Sequence, residues 1–213
     1  MRYKLRLAGI RIQEICRYYR HKRFASLDLT LSILYLFSNP YRMCRKFSQS
    51  KGLKEIYTYG ETPLKTLEQI VQAFHVTPAD RWLELGCGRG RTCLWLSTWL
   101  GCSVRGVDWV PAFIARASLL LKLFSLPNLT FQNSSIFHTD FSWPTVVFLY
   151  STCMSDEEIQ SLLLSMNPLP PNAKVITISS PLNHPQYPLV RSLKISLPWG
   201  KTRAYLHHKI SSP

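Results

Sequence analysis

The stretch Arg81-Trp82-Leu83-Glu84-Leu85-Gly86-Cys87-Gly88-Arg89-Gly90-Arg91 decides the fold. A short apolar run carrying one acid, Glu84, passes directly into three glycines at alternate positions, and the apolar pattern over 92–100 then predicts a helix. Glycine is needed where a ligand lies against the backbone, because a Cβ there would collide or forbid the dihedrals. A strand–loop–helix turn of this kind sits at the carboxyl end of a parallel sheet, with N–H groups available to a nucleotide-like ligand. Eighteen residues past Gly90, Gly106-Val107-Asp108 ends a second predicted strand over 103–107. A carboxylate at that point can accept both hydroxyls of a ribose, so the loop and the acid together describe an adenosine site.

The spacing narrows the choice of adenosine ligand. A dinucleotide fingerprint reads G-x-G-x-x-G, its third glycine serving helix packing beside a pyrophosphate. Here the order is G-x-G-x-G with an acid two residues ahead, and the lysine-serine ending of a phosphate loop is absent. The arrangement resembles motif I of the seven-strand S-adenosylmethionine-dependent methyltransferases. That ligand carries a cationic sulfonium and an ammonium but no phosphate, which suits acids near the loop. The resemblance implies cofactor contacts from Glu84, Gly86, Gly88, Gly90 and Asp108.

Outward from this motif, helices are expected over 64–74 and 111–124, and strands over 129–132, 145–150 and 173–178. Thr62 and Pro63 read as N-cap and first residue of the earlier helix. Ser155 to Glu158 reads as a capping box. Two last strands, near 193–197 and 204–209, flank Pro198-Trp199-Gly200 as a hairpin. This order predicts an α/β fold: a Rossmann-like, mostly parallel seven-strand sheet with a terminal antiparallel hairpin and a basic helical N-terminal extension. The methyltransferase domain is assigned to 55–213 and the extension to 1–54.

Composition agrees with a folded chain of 213 residues, 46% hydrophobic and 18% charged. The net charge of +14 is uneven: residues 1–54 hold thirteen Lys/Arg against Glu14 and Asp28, a net of +11. Residues 1–23 read as a basic amphipathic helix, either packed on the domain or facing an anionic partner such as a membrane surface or RNA. The apolar run 24–37 carries Asp28, and fourteen helical residues reach only about 21 Å, short of the roughly 30 Å hydrocarbon core. A docking or interfacial helix is expected there, not a spanning one. Six cysteines without a CxxC pair indicate a reducing compartment and no metal site. No secretory leader is apparent, so the expected location is cytoplasmic, with peripheral membrane attachment through the extension as an addition.

A narrower resemblance rests on Tyr59-Gly60-Glu61-Thr62 ahead of the first domain helix, followed by the Glu84–Gly90 motif. These segments look like those of the non-SET protein-lysine methyltransferases of the disruptor-of-telomeric-silencing type and their prokaryotic relatives. The resemblance implies that Tyr59 and Glu61 hold the amino-acid end of the cofactor, Glu61 near its ammonium. Two departures stand out. Where many relatives carry an acid after the third strand, this chain has Phe131-Gln132-Asn133-Ser134-Ser135, leaving Asn133 or Ser135 to meet the adenine. Where the histone-modifying members carry an asparagine-rich acceptor segment, it has Tyr150-Ser151-Thr152-Cys153-Met154.

Transfer from a sulfonium needs alignment and exclusion of water more than a strong base. Tyr150 at the end of the fourth strand is assigned to line the acceptor channel, with Ser151 and Thr152 as hydrogen-bonding partners. The reading is an S-adenosylmethionine-dependent methyltransferase acting on a protein lysine. The rivals are an RNA methyltransferase gripping phosphates through 1–54, and a non-catalytic cofactor-binding protein. Oligomeric state is not encoded in any of these features.

Overall fold

The computed structural model describes residues 2–52, 59–152 and 154–210. Seven strands form one sheet in the order β3-β2-β1-β4-β5-β7-β6. They are β1 (Arg81–Leu85), β2 (Ser103–Asp108), β3 (Leu129–Asn133), β4 (Val146–Tyr150), β5 (Lys174–Ile178), β6 (Leu189–Leu197) and β7 (Gly200–His208). All neighbours pair in parallel except β7, which runs antiparallel to both β5 and β6. The chain winds outward from β1 to β3, returns to β4 and winds the other way. Its switch point therefore lies between β1 and β4, where ligand crevices form outside the carboxyl ends of strands.

The middle strands are buried on both faces, which is why β4 reads Val146-Val147-Phe148-Leu149 without alternation. One face meets α1 (Arg2–Tyr18), α2 (Lys22–Leu34), α4 (Leu64–Ala73), α5 (Arg91–Trp95) and α6 (Pro111–Phe124). The other meets α7 (Asp156–Ser165), which presents Leu162, Leu163 and, just beyond it, Met166 to Leu83, Leu85, Val147 and Leu149. A remaining helix, α3 (Pro40–Ser50), leads toward the segment 53–58, which lies outside the described residues together with the expected boundary at 54.

Several local expectations are met. α5 continues as a wider π turn, Leu96–Leu100, so the helical run ends where the sequence pattern ends. α6 has the expected bounds, and Ser155 with Glu158 closes a capping box at α7. The hairpin strands run nine residues each, longer than their apolar patterns indicate, because β6 and β7 also carry polar residues on an open face.

Others differ. The expected basic helix over 1–23 stops at Tyr18, and α2 starts at Lys22 with the His21 ring accepting from the Phe24 N–H at 3.2 Å. Thr62 does not cap α4. Pro63 occupies the N-cap position, and the Leu64 N–H is met by the Glu14 carboxylate at 2.6 Å, fifty residues away. α1 and α2 also bury Tyr18, Phe24, Leu27 and Leu31 in the core shared with the sheet.

Candidate active site

β1 delivers Glu84 under the turn that follows it. The side chain is buried, with its carboxylate accepting from the Thr92 hydroxyl at 2.6 Å and the Cys93 thiol at 3.3 Å. Burial pushes Glu84 up to about 7, against the pull of those two donors. The glycines all take positive φ: Gly86 at 78°, Gly88 at 55° and Gly90 at 78°. A Cβ on Gly88 would stand 2.8 Å from the Tyr59 ring, and one on Gly90 would stand 2.5 Å from Phe131. At these two positions both the dihedral and the packing strain any larger residue. A Cβ on Gly86, by contrast, would meet nothing within 4 Å, so the backbone there faces open space.

Asp108, at the end of β2, lies across the same loop. One carboxylate oxygen accepts from the Gly88 N–H and the other from the Val110 N–H, each at 2.8 Å. Burial raises its pKa while those N–H bonds oppose the rise. Each oxygen keeps a second lone pair, so the side chain can hold the loop and still accept a hydroxyl. Trp109 follows, with an exposed indole touched edge-on by Phe47 of α3 at 5.5 Å between centroids. Asn133 is turned to the backbone: its amide donates to the carbonyls of Asp108 and Trp109 at 2.9 and 3.1 Å. Ser135 caps the short 3₁₀ turn Ile136–His138.

Tyr59 and Glu61 meet a residue that sequence reasoning passed over. Arg89, inside the glycine loop, forms a two-pronged ion pair with Glu61 at 2.5 and 2.8 Å, and its Nε also reaches the Tyr59 hydroxyl at 3.2 Å. Tyr59 itself donates to Glu61 and packs on Phe113. Burial would raise the Glu61 pKa, but the Arg89 guanidinium holds it below the usual range, so the carboxylate stays charged. The signal in sequence was the unexplained cation between two glycines.

The carboxyl end of β4 divides the three residues Tyr150, Ser151 and Thr152. The Tyr150 hydroxyl lies 2.5 Å from the Thr62 hydroxyl, and its ring stands 6.4 Å from that of Trp199 at the hairpin tip. Trp199 in turn covers Gly60, where a Cβ would come within 3.0 Å of the indole. Ser151 turns away, its hydroxyl bonded to the carbonyls of Ile178 and Ser180 at 3.0 and 3.1 Å. Thr152 is exposed. A cavity of about 320 Å³ opens beside this cluster, lined by Glu61, Thr62, Arg89, Arg91 and Pro198. The larger cavity, about 660 Å³, lies between α1, α4 and β6, away from the glycine loop and Asp108. Among the described residues no cluster of His, Cys, Asp or Glu is placed to hold a metal ion.

Residues 83–168 match the methyltransferase-domain family. A histone-lysine N-methyltransferase of Dictyostelium discoideum, described as specific for lysine 79 of histone H3, is 26% identical over 204 residues. That match covers 85% of this chain, which spans about a tenth (10%) of the relative's length. Among solved structures, an RNA methyltransferase of Salinibacter ruber in complex with S-adenosylhomocysteine superposes with a TM-score of 0.59 at 20% identity, over 72% of this chain and 95% of its own. The magnesium protoporphyrin IX methyltransferase of Synechocystis with bound S-adenosylmethionine does so at 0.55 and 15%, over 80% and 97%. The family match makes residues 83–168, which carry the acid–glycine loop, β2 and β4, a methyltransferase domain, and the sheet order around them is the fold of the S-adenosylmethionine-dependent methyltransferases.

Proposed function

We propose that the protein methylates the side-chain nitrogen of a lysine in another protein. The observation that carries this reading is the aromatic pair at the carboxyl end of β4, where Tyr150 meets the Thr62 hydroxyl and the ring of Trp199, which itself covers Gly60. The lysine-modifying relative supports it. Bound S-adenosylmethionine supplies a methyl group already activated by its sulfonium. Asp108 accepts the ribose hydroxyls, Gly86 leaves room for the ligand against the backbone, and Trp109 offers a ring face to the base. Glu84, ionised more readily when a cation lies near, and Glu61 balance the positive end.

The acceptor must arrive as a neutral amine. Tyr150 and Trp199 present hydrocarbon to the lysine and exclude water, which disfavours its charged form. Burial pushes the Tyr150 hydroxyl well above its ordinary pKa, so it stays protonated and acts by orientation through Thr62, not as a base. The amine proton passes to solvent.

Incubation with radiolabelled cofactor and a host lysate tests the reading, with Asp108→Ala as the control. Protease-sensitive label that hydrolyses to methyl-lysine, and is absent from the control, is the expected result. Ribonuclease-sensitive label would replace the reading with the RNA alternative, which the basic residues 1–54 favour. Cofactor binding without label on any fraction would point to a non-catalytic protein.

A further inference from the structure

We propose that the outer face of α2, together with the α2–α3 corner, docks this protein on the surface of a membrane rich in anionic lipid. The inner face of α2 is spent on the core: Phe24, Leu27 and Leu31 are buried, and Asp28 pairs with Arg91. Its solvent stripe should then be polar. Instead, Leu29 is 55% exposed, Ile33 60%, Leu36 69% and Phe37 96%, spaced as one helical face that runs into the corner. α6 lies alongside in the opposite direction, because Arg116 reaches Ser38 while Arg23 reaches the Ser125 carbonyl. It adds the exposed Leu119 and Leu123 to the same side. A contiguous apolar face of this kind marks an interaction surface.

Charge selects the occupant. The acids of residues 1–54 are Glu14 and Asp28, and both are buried in the ion pairs with Arg91. The exterior of this region therefore presents cations: Arg20, Lys22 and Arg23 at one end of the stripe, Arg42, Arg45 and Lys46 at the other. A second copy seated on this face would bring like charges together at both ends. An anionic bilayer surface accepts the apolar stripe and neutralises its flanks at once. Among the described residues no helix is long and apolar enough to cross a membrane, so the stripe lies in the interface plane. The docking is independent of which acceptor is methylated.

Flotation of the full chain with phosphatidylcholine vesicles, with and without phosphatidylglycerol, tests the proposal. The protein is expected to float with the anionic vesicles only. The pair Ile33→Asp and Phe37→Asp should lower that binding about tenfold or more, the side chains being exposed and each inserting apolar area. Arg42→Glu with Lys46→Glu should weaken it and reduce its salt dependence. Unchanged melting temperatures and cofactor binding show that the variants fold. Absence of flotation, or flotation undiminished in the aspartate pair, overturns the proposal. So does a dimer in solution that the aspartate pair dissociates without any vesicle binding, which would assign the face to a second copy.

Discussion

Two carboxylates in the site do opposite work. Glu84 is buried, with Thr92 and Cys93 donating to it, and desolvation still raises its pKa to about 7. Because the folded chain binds this proton more tightly than the unfolded chain, the contribution to stability is full below about pH 4.5 and is lost as pH rises through about 7. Glu84→Gln keeps an acceptor for Thr92 and removes the charge. It should raise stability at pH 8 by roughly 2–4 kcal/mol while leaving pH 4 unchanged, read by urea unfolding at both values. The same change should weaken cofactor binding, since the glutamine cannot balance a cation; a parallel pH slope in wild type and variant would defeat the assignment. Asp108 is committed to the loop through Gly88 and Val110 and remains an acceptor. Asp108→Ala should weaken S-adenosylhomocysteine binding by about 2–3 kcal/mol, the scale of hydrogen bonds to a charged group. Calorimetry decides it, and unchanged affinity would remove Asp108 from the ribose site.

Among elements, the decisive joint is between α5 and the N-terminal helices. Arg91, first residue of α5, donates to Asp28 of α2 and to Glu14 of α1, and all three are buried. The glycine loop thus inherits its position partly from segments more than sixty residues upstream. Breaking such a set by removing one partner leaves uncompensated buried charge, at a cost of about 3–5 kcal/mol. Arg91→Met should be destabilised by that amount, and Asp28→Asn in the same background should restore part of it; additive losses in the cycle would show that the groups act independently. This joint also marks what the sequence could disclose. β1, its glycine turn, Asp108 and the final hairpin are legible because strand period, glycine and turn chemistry are local signals. Thr62 looked like a helix cap because its partner Tyr150 and the true cap, Glu14, are far away in sequence. Asp28 looked like a simple penalty on membrane insertion, and Trp199 like an ordinary turn residue. Their roles come from contacts across the fold, which leave no periodicity to read.

For the molecule as a whole, the question is whether α1 is an attachment or a part of the domain. Tyr18 is fully buried, meets Trp95 and Trp99 edge-on and donates to Glu68 at 2.9 Å. Burying such a ring is worth about 1.5–3 kcal/mol. Glu14 caps α4 and pairs with Arg91, so its loss leaves the Leu64 N–H and part of the guanidinium unmet in the interior. Together these approach the 5–15 kcal/mol that holds an ordinary domain together. A chain beginning at Lys22 is therefore expected to melt without cooperativity, or far below the full chain, in circular dichroism scans. Its cofactor binding should fail for that reason and return in part at low temperature or with excess ligand, by mass action on the folded form. A truncated chain that melted as sharply and as high as the full one would instead make α1 an appendage whose basic face serves only its partners.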